Sequence, residues 1–461
     1  PAIQLLDQLD KTEAPAPGSP PLPSTYLPLL VLWSHVLLAQ SLALYVLRRY
    51  AEVYAHVEYA PPALPASDDL AHVTAMLQMY ARPANDALAF FLTVQGTDYV
   101  FDQALLALAN LGQAVGAVGL ARDRDAVLAT LSDLGLPSSA LQGRTLSARS
   151  WACQLALGST AIALAGSLGE RWRTVLQTTA TALSFVPSER TDGHAPTTVA
   201  APRVPPGPGM IGDEVAGKAE LHFLARSALE PGALYAALGH VFGHSVWLAD
   251  EALAQFVTLL AQLTAERARD GPPAVVGVLL DEVQRVALAN TQRIAAQLPE
   301  GAWGPIAEHL FALIEASDVS AAYRTHAARV LDAIAYGVLR AVPSTAHARQ
   351  RTLLAAIDRQ ARAHGRTSPT DVAVRKAAID LLLRVLETHA HRLQAGWDMV
   401  FGMCRAAAEA APEVRAQGTS PLPLLKGAFV CVQLICSEHL AALSNEELEL
   451  CIACLPSFCT Q

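Results

Sequence analysis

Residues 423–461, PLLKGAFVCVQLICSEHLAALSNEELELCIACLPSFCTQ, decide the fold class, because they read as two helices joined by a capped turn. In the first, Leu424, Leu425, Ala428, Cys431, Val432 and Ile435 fall at the i, i+3, i+4, i+7 spacing of an apolar helix stripe. Ser444 with Glu447 three residues on makes a capping box, in which each side chain satisfies the other's orphan amide. Leu448, Cys451, Ile452 and Leu455 carry the second stripe, and Pro456 stops it. Two short helices cannot bury both stripes against each other alone. They need neighbours of the same kind, and that is the signature of a stacked helical repeat.

The composition agrees. Hydrophobic residues are 52% of the chain, with Ala and Leu dominant, while aromatics are only 6%, so strong helix formers prevail and an all-α protein is expected. With 33 basic and 42 acidic residues the net charge is -9, and no basic run of 5–8 residues occurs, which argues against a nucleic-acid partner. Seven cysteines, five of them in residues 431–459, lie on apolar helix faces, and the odd count fits reduced thiols in a cytosolic protein. No signal peptide is recognisable. Starting on Pro1 and ending on Gln461, the chain reads as a segment of something longer.

The pattern divides the chain into a Pro-rich lead-in at 1–28, a first helical array at 29–186, a Pro/Gly-rich linker at 187–212, a second array at 213–411 and the closing pair at 412–461. Six prolines and four glycines in 186–212 can neither hold a helix nor pack a core. Short helices are expected at 68–80 and 86–94, with Ser67-Asp68 and Asn85 as caps, and single helices at 101–118, 126–134, 275–298, 303–316, 323–340 and 351–364. Ser368-Pro369-Thr370-Asp371 opens a long helix to about residue 393, where Asp380 and Arg384 are spaced to pair at i,i+4. A break at 412–423 precedes the closing pair. Helix pairs recur at roughly forty residues, the period of armadillo and HEAT repeats, so the expected fold is an α-solenoid of helical hairpins.

Residues 29–47, LLVLWSHVLLAQSLALYVL, and 151–169 are each nineteen residues without a charge, long enough to span a membrane. Ser34, His35, Gln40 and Ser41 interrupt the first, and Arg171-Trp172-Arg173 resumes a soluble helix after the second. Burial inside a large α-protein is the expected reading of both.

Candidate chemistry is sparse. His240 and His244 have a zinc-ligand spacing, but Val241 stands where a metalloprotease needs Glu, and Gly239 and Gly243 weaken the helix. Core or interface histidines are expected there. Cys451 and Cys454 form a CxxC with Cys431, Cys436, Cys459 and His439 not far off, yet on a helix both fall on the apolar stripe and act as small hydrophobes. His389 and His391 suit the negative end of a helix dipole, and Asp281-Glu282 and Glu446-Glu447 suit positive ends. There is no glycine-rich phosphate loop and no Gly-x-Ser-x-Gly. No enzymatic activity, metal or cofactor is expected, and Trp397, Phe429 and Phe458 are read as core.

Gly396-Trp397-Asp398, Ala428-Phe429, Leu434-Ile435-Cys436 and Cys454-Leu455-x-x-Phe458-Cys459-x-Gln461 resemble a homology block shared by the large Arf guanine-nucleotide exchange factors and their non-catalytic relatives, the Mon-two-type trafficking scaffolds. Residues 117–136, 157–183 and 317–338 are similar to the same family. The motifs are packing patterns, strongest at 396–461 and weak before residue 100. Nothing matches the Sec-seven catalytic domain or its glutamate loop, which favours the scaffold, with the regulatory region of an active Arf exchange factor as the alternative. The resemblance implies a cytoplasmic protein, peripheral on trans-Golgi and endosomal membranes. The partners it implies are a Dopey-family protein, an Arf or Arf-like small GTPase and membranes carrying phosphatidylinositol 4-phosphate. It leaves room for a homodimer and names no contact residue.

Overall fold

A computed structural model describes residues 26–57, 59–94, 96–143, 145–186, 230–362, 368–416 and 418–459, and among them every regular element is helical. The protein is all-α. The linker at 187–212 and most of the Pro-rich lead-in lie outside the described residues.

In chain order the helices are α1 Tyr26–Val53, α2 Asp68–Thr93, α3 Asp98–Ala117, α4 Ala121–Gly135, α5 Ser138–Gly143, α6 Ala148–Ala163 and α7 Trp172–Leu183. Then follow α8 Pro231–Gly243, α9 Asp250–Asp270, α10 Pro273–Ala289, α11 Thr291–Gln297, α12 Trp303–Glu315 and α13 Ala321–Ala341. The last are α14 His347–Ala361, α15 Pro369–His389, α16 Trp397–Glu409, α17 Ala411–Ala416, α18 Leu422–Leu434, α19 Asn445–Cys454 and α20 Pro456–Cys459.

The long helices sort into two layers. In one, α1, α3, α6, α8, α10, α13, α15 and α18 each pack on the next. In the other, α2, α4, α7, α9 and α12 form one run and α14, α16 and α19 another, with Arg359 of α14 bridging to Glu315 and Glu308 of α12 at the junction. Helices also pair across the layers: α2 with α3, α4 with α6, α9 with α10, α12 with α13, α14 with α15 and α16 with α18. The buried side chains form one contiguous apolar seam from Leu32 to Cys454. Each fully buried Leu or Phe in it contributes roughly 1.5–3 kcal/mol.

The step along this stack is close to fifty residues rather than forty. From α9 onward, helices of the second layer begin at residues 250, 303, 347, 397 and 445, in steps of 53, 44, 50 and 48. Side-chain bonds between steps repeat the interval. Arg171 meets Asp125 at a separation of 46, Asn290 meets Ser245 at 45, and Arg351 meets Asp398 at 47. The sides flanking residues 187–229 meet directly: Trp172 stacks edge-on against Phe256 with ring centroids 4.9 Å apart, and Arg173 pairs with Glu266.

Capping follows the sequence at several ends. Ser444 and Glu447 form the expected capping box of α19, and Ser368 with Asp371 forms another on α15. Gly116 sits where α3 crosses α6; a Cβ there would stand 2.4 Å from Leu164 Cδ1, so the close approach requires glycine. Gly396, at the start of α16, has φ 93°, and a Cβ would meet Leu354 Cδ1 at 2.4 Å as well.

Other expectations are corrected. Residues 68–94 form one helix, α2, not two: Pro83 lies inside it and Asn85 is a buried interior residue, not a cap. An interior proline costs ~3 kcal/mol; burial of Leu77, Ala81, Ala84, Leu88 and Leu92 along one face offsets it. Residues 275–298 hold two helices, α10 and α11, parted at Asn290. The break before the closing pair contains the short α17, and Pro423 lies inside α18. Asp380 pairs with Lys376 instead of Arg384, whose guanidinium sits 4.3 Å above the Tyr336 ring of α13. Finally, α1 is not buried all round. Leu32, Val36, Ala39, Ala43, Val46 and Tyr50 face the stack, while Leu27, Leu30, Val31, Leu37 and Tyr45 are exposed. By length and composition alone α1 is apolar enough to cross a membrane. The run at 151–169 is seated in the core as α6 and the turns after it.

Candidate functional site

The two imidazoles of 240–244 stay one helical turn apart, with the His244 amide bonded to the His240 carbonyl. Pro231 starts α8, the α-helix stops at Gly243, and His244 opens a 3-10 turn, His244–Trp247. His240 is exposed and His244 half-buried. Burial, together with the neighbouring His240, pushes the His244 imidazole down to about 4, so it is neutral at pH 7. Among the described residues, no three His, Cys, Asp or Glu side chains gather as a metal-binding group.

The carboxylates divide. Glu447 caps α19 as read, whereas Asp281 and Glu282 lie in the middle of α10, because Pro273 starts that helix two turns earlier. Glu282 is buried, which pushes its carboxyl up to about 7 against the pull of Arg285. Arg285 then reaches on to the Gly239 carbonyl of α8 at 2.8 Å. His389 ends α15, but burial and the nearby Arg340, Arg392 and His391 lower its imidazole pKa, so it supplies no firm cation to the dipole. Arg392 caps a different helix, donating to Arg340 O and Val342 O at the end of α13 at 3.1 and 3.2 Å.

Arginines bridging successive steps are the residues that local reading missed. Arg324 of α13 donates to Asp371 of α15, and Arg359 of α14 holds Glu315 at 3.0 Å while lying 4.1 Å over the Phe311 ring. These side chains, with Ile314, Gln360 and Val374, line a shallow cleft that encloses about 270 Å³, open solvent included. Its guanidiniums are already paired, and the space inside it that a guest could fill is only about 10 Å³, roughly one water. The one sequence signal that would have found these bridges is an acid and an arginine recurring 44 to 47 residues apart, as in Glu315/Arg359, Arg324/Asp371 and Arg351/Asp398.

The closing helices bring sulfur together. Cys404, Cys431, Cys451 and Cys454 are buried, and Cys436 and Cys459 are exposed. Cys454 Sγ points at the Phe401 carbonyl at 3.7 Å, and Cys431 Sγ at the Ile379 carbonyl at 3.9 Å, as small hydrophobes in a helix seam do. Cys436 Sγ and Cys451 Sγ face each other at 3.8 Å. Trp397 is core, as read, but Phe429 is 48% exposed and leans edge-on against Phe458. The second stripe is narrower than its spacing implied. Cys451 and Cys454 are buried, while Ile452 and Leu455 are exposed, as are Leu422, Phe429 and Leu440. No protein-family model matches the chain, and no curated protein matches it.

Proposed function

We propose that this chain is an α-solenoid of HEAT- or armadillo-like hairpins that serves as a non-enzymatic scaffold in vesicular trafficking between Golgi and endosomes. The observation that carries the repeat reading is the recurrence of inter-step contacts at separations near fifty residues, with two layers of helices each packed on the next. A stack of this kind lines up helix ends and exposed faces into a long surface suited to binding other helices. Its paired arginines and shallow cleft favour a broad protein surface over a small-molecule pocket.

The trafficking role rests on the resemblance at residues 396–461, 117–136, 157–183 and 317–338 to the Mon-two-type scaffolds. On that reading the partners are a Dopey-family protein, an Arf-like GTPase and membranes containing phosphatidylinositol 4-phosphate, met at the cytoplasmic face of the trans-Golgi and endosomes. A pull-down of the purified chain tests it, with a Dopey-family protein and an Arf-like GTPase loaded with GTP or GDP. Retention of the Dopey protein supports a docking platform, and retention of the GTPase only when GTP-bound supports an effector. Retention of neither counts against this segment as the contact region.

A further inference from the structure

We infer that Cys436 and Cys451 are a modification site, an oxidisable dithiol that a hydroperoxide converts to a disulfide fastening the turn before α19 to α19 itself. Their Sγ atoms are 3.8 Å apart, and both are free thiols. Bonding distance is about 2.0 Å, so closure requires the sulfurs to approach by only about 1.8 Å. Cys436 lies on the π-turn Ile435–His439, followed at once by the 3-10 turn Leu440–Ala442. Neither turn has a regular α-helical ladder to hold the backbone against so small a shift.

The two thiols are unequal, and that sets the order of events. Cys436 is exposed and meets the oxidant first. Cys451 is buried, and burial together with Cys436 pushes its thiol up to about 11, so it waits as a protonated resolving group. The Cys436 thiolate attacks the hydroperoxide, whose O–O bond breaks; one oxygen stays as sulfenic acid, and the other leaves as alcohol or water. Cys451 sulfur then attacks the Cys436 sulfur and forms the S–S bond. The departing hydroxide takes the Cys451 proton as water. Two thiols are oxidised and one hydroperoxide is reduced. The other buried thiols, Cys153, Cys404, Cys431 and Cys454, stand behind the helix faces and out of the oxidant's path.

Exposed apolar residues flank both cysteines in sequence, Leu440 four residues after Cys436 and Ile452 directly after Cys451. A bond between Cys436 and Cys451 fixes the turn that carries Leu440 against α19, and reduction releases it. The test is to treat the full chain with graded hydrogen peroxide, alkylate the remaining thiols in denaturant, and map the digested peptides by mass spectrometry. The expected result is a cross-linked peptide pair joining Cys436 to Cys451, with the thiol titre falling from seven by two. Cys436→Ser is an exposed, mild change and keeps its remaining thiols at the same dose. In Cys451→Ser, Cys436 stalls as a sulfenic acid that dimedone captures. The inference is overturned if Cys436 proceeds to sulfinic acid while Cys451 stays alkylatable in the unaltered chain. A link from Cys436 to Cys459 or to a second chain, or an undiminished loss of thiols in Cys436→Ser, overturns it equally.

Discussion

Arg324 of α13 donates a hydrogen bond to the carboxylate of Asp371, 47 residues further along the chain, and both side chains are nearly buried. The same carboxylate receives the Ser368 amide at 3.2 Å as one half of the α15 capping box. One acid therefore starts a helix and ties it to the preceding step. Burial pushes the Asp371 carboxyl up, but bonds from Ser368 and Arg324 outweigh it and hold the group below its usual value. Its contribution is present above the ordinary aspartate range and fades as pH falls through it.

Arg324→Ala should lower the unfolding free energy by about 3 kcal/mol, because it leaves a buried carboxylate without its partner. Urea denaturation at pH 7 measures this. An unchanged midpoint would mean that the bridge is incidental to the stack.

Asp332 gives a pH signature. It is buried on α13, which pushes its carboxyl up to about 7 against the pull of Gln360 and Arg384. An unfolded aspartate titrates near 4, so the stability gained from holding this proton is complete below about pH 4 and lost as pH rises to about 7. Buried His309 runs the other way: burial pushes its imidazole down to about 4, so its contribution is present above about 6.5 and lost on acidification. Buried Glu282 slopes as Asp332 does and His244 as His309 does, so the opposed slopes keep the unaltered chain nearly flat across this window. Asp332→Asn removes one of them, so its unfolding free energy from urea denaturation should climb from pH 4 to pH 7 and exceed that of the unaltered chain above pH 7 by on the order of 2 kcal/mol. Parallel curves for the two proteins would refute the assignment.

Two glycines should respond with opposite sign. Gly116→Ala forces a methyl into Leu164 and should cost about 1–3 kcal/mol despite the better helix propensity. At Gly304, in the first turn of α12, nothing lies within 4 Å of the position a Cβ would take. Gly304→Ala should therefore stabilise by roughly 0.5 kcal/mol. Thermal melts of both variants check the pair.

What was legible in the chain was what lies within a few residues. The capping box at Ser444, the stripe through Leu424, Ala428, Cys431 and Ile435, and the all-α class all follow from i to i+4 rules. Residues 68–94 looked like two helices capped at Asn85 because the local rule does not know that α3 and α4 pack along the length of α2. Asp380 looked bound to Arg384 because the competitor, the Tyr336 ring, comes from another helix. The arginine bridges and the facing of Cys436 and Cys451 stayed hidden for the same reason. The CxxC spacing drew attention to Cys454, yet the sulfur opposite Cys451 lies 15 residues earlier, across a turn. Ile452 looked buried because a stripe shows which residues share a face and not whether a neighbour covers it.

We propose that the chain is a row of steps, each held chiefly by its neighbours. The most direct test is native-state hydrogen exchange on Leu424→Ala, which empties a fully buried site at one end of the stack. Protection should fall in α15, α16, α18 and α19 and stay unchanged in α3 and α6, since the steps between do not share that contact. A uniform loss of protection reaching Leu105 and Leu157 would show one indivisible core and contradict the account.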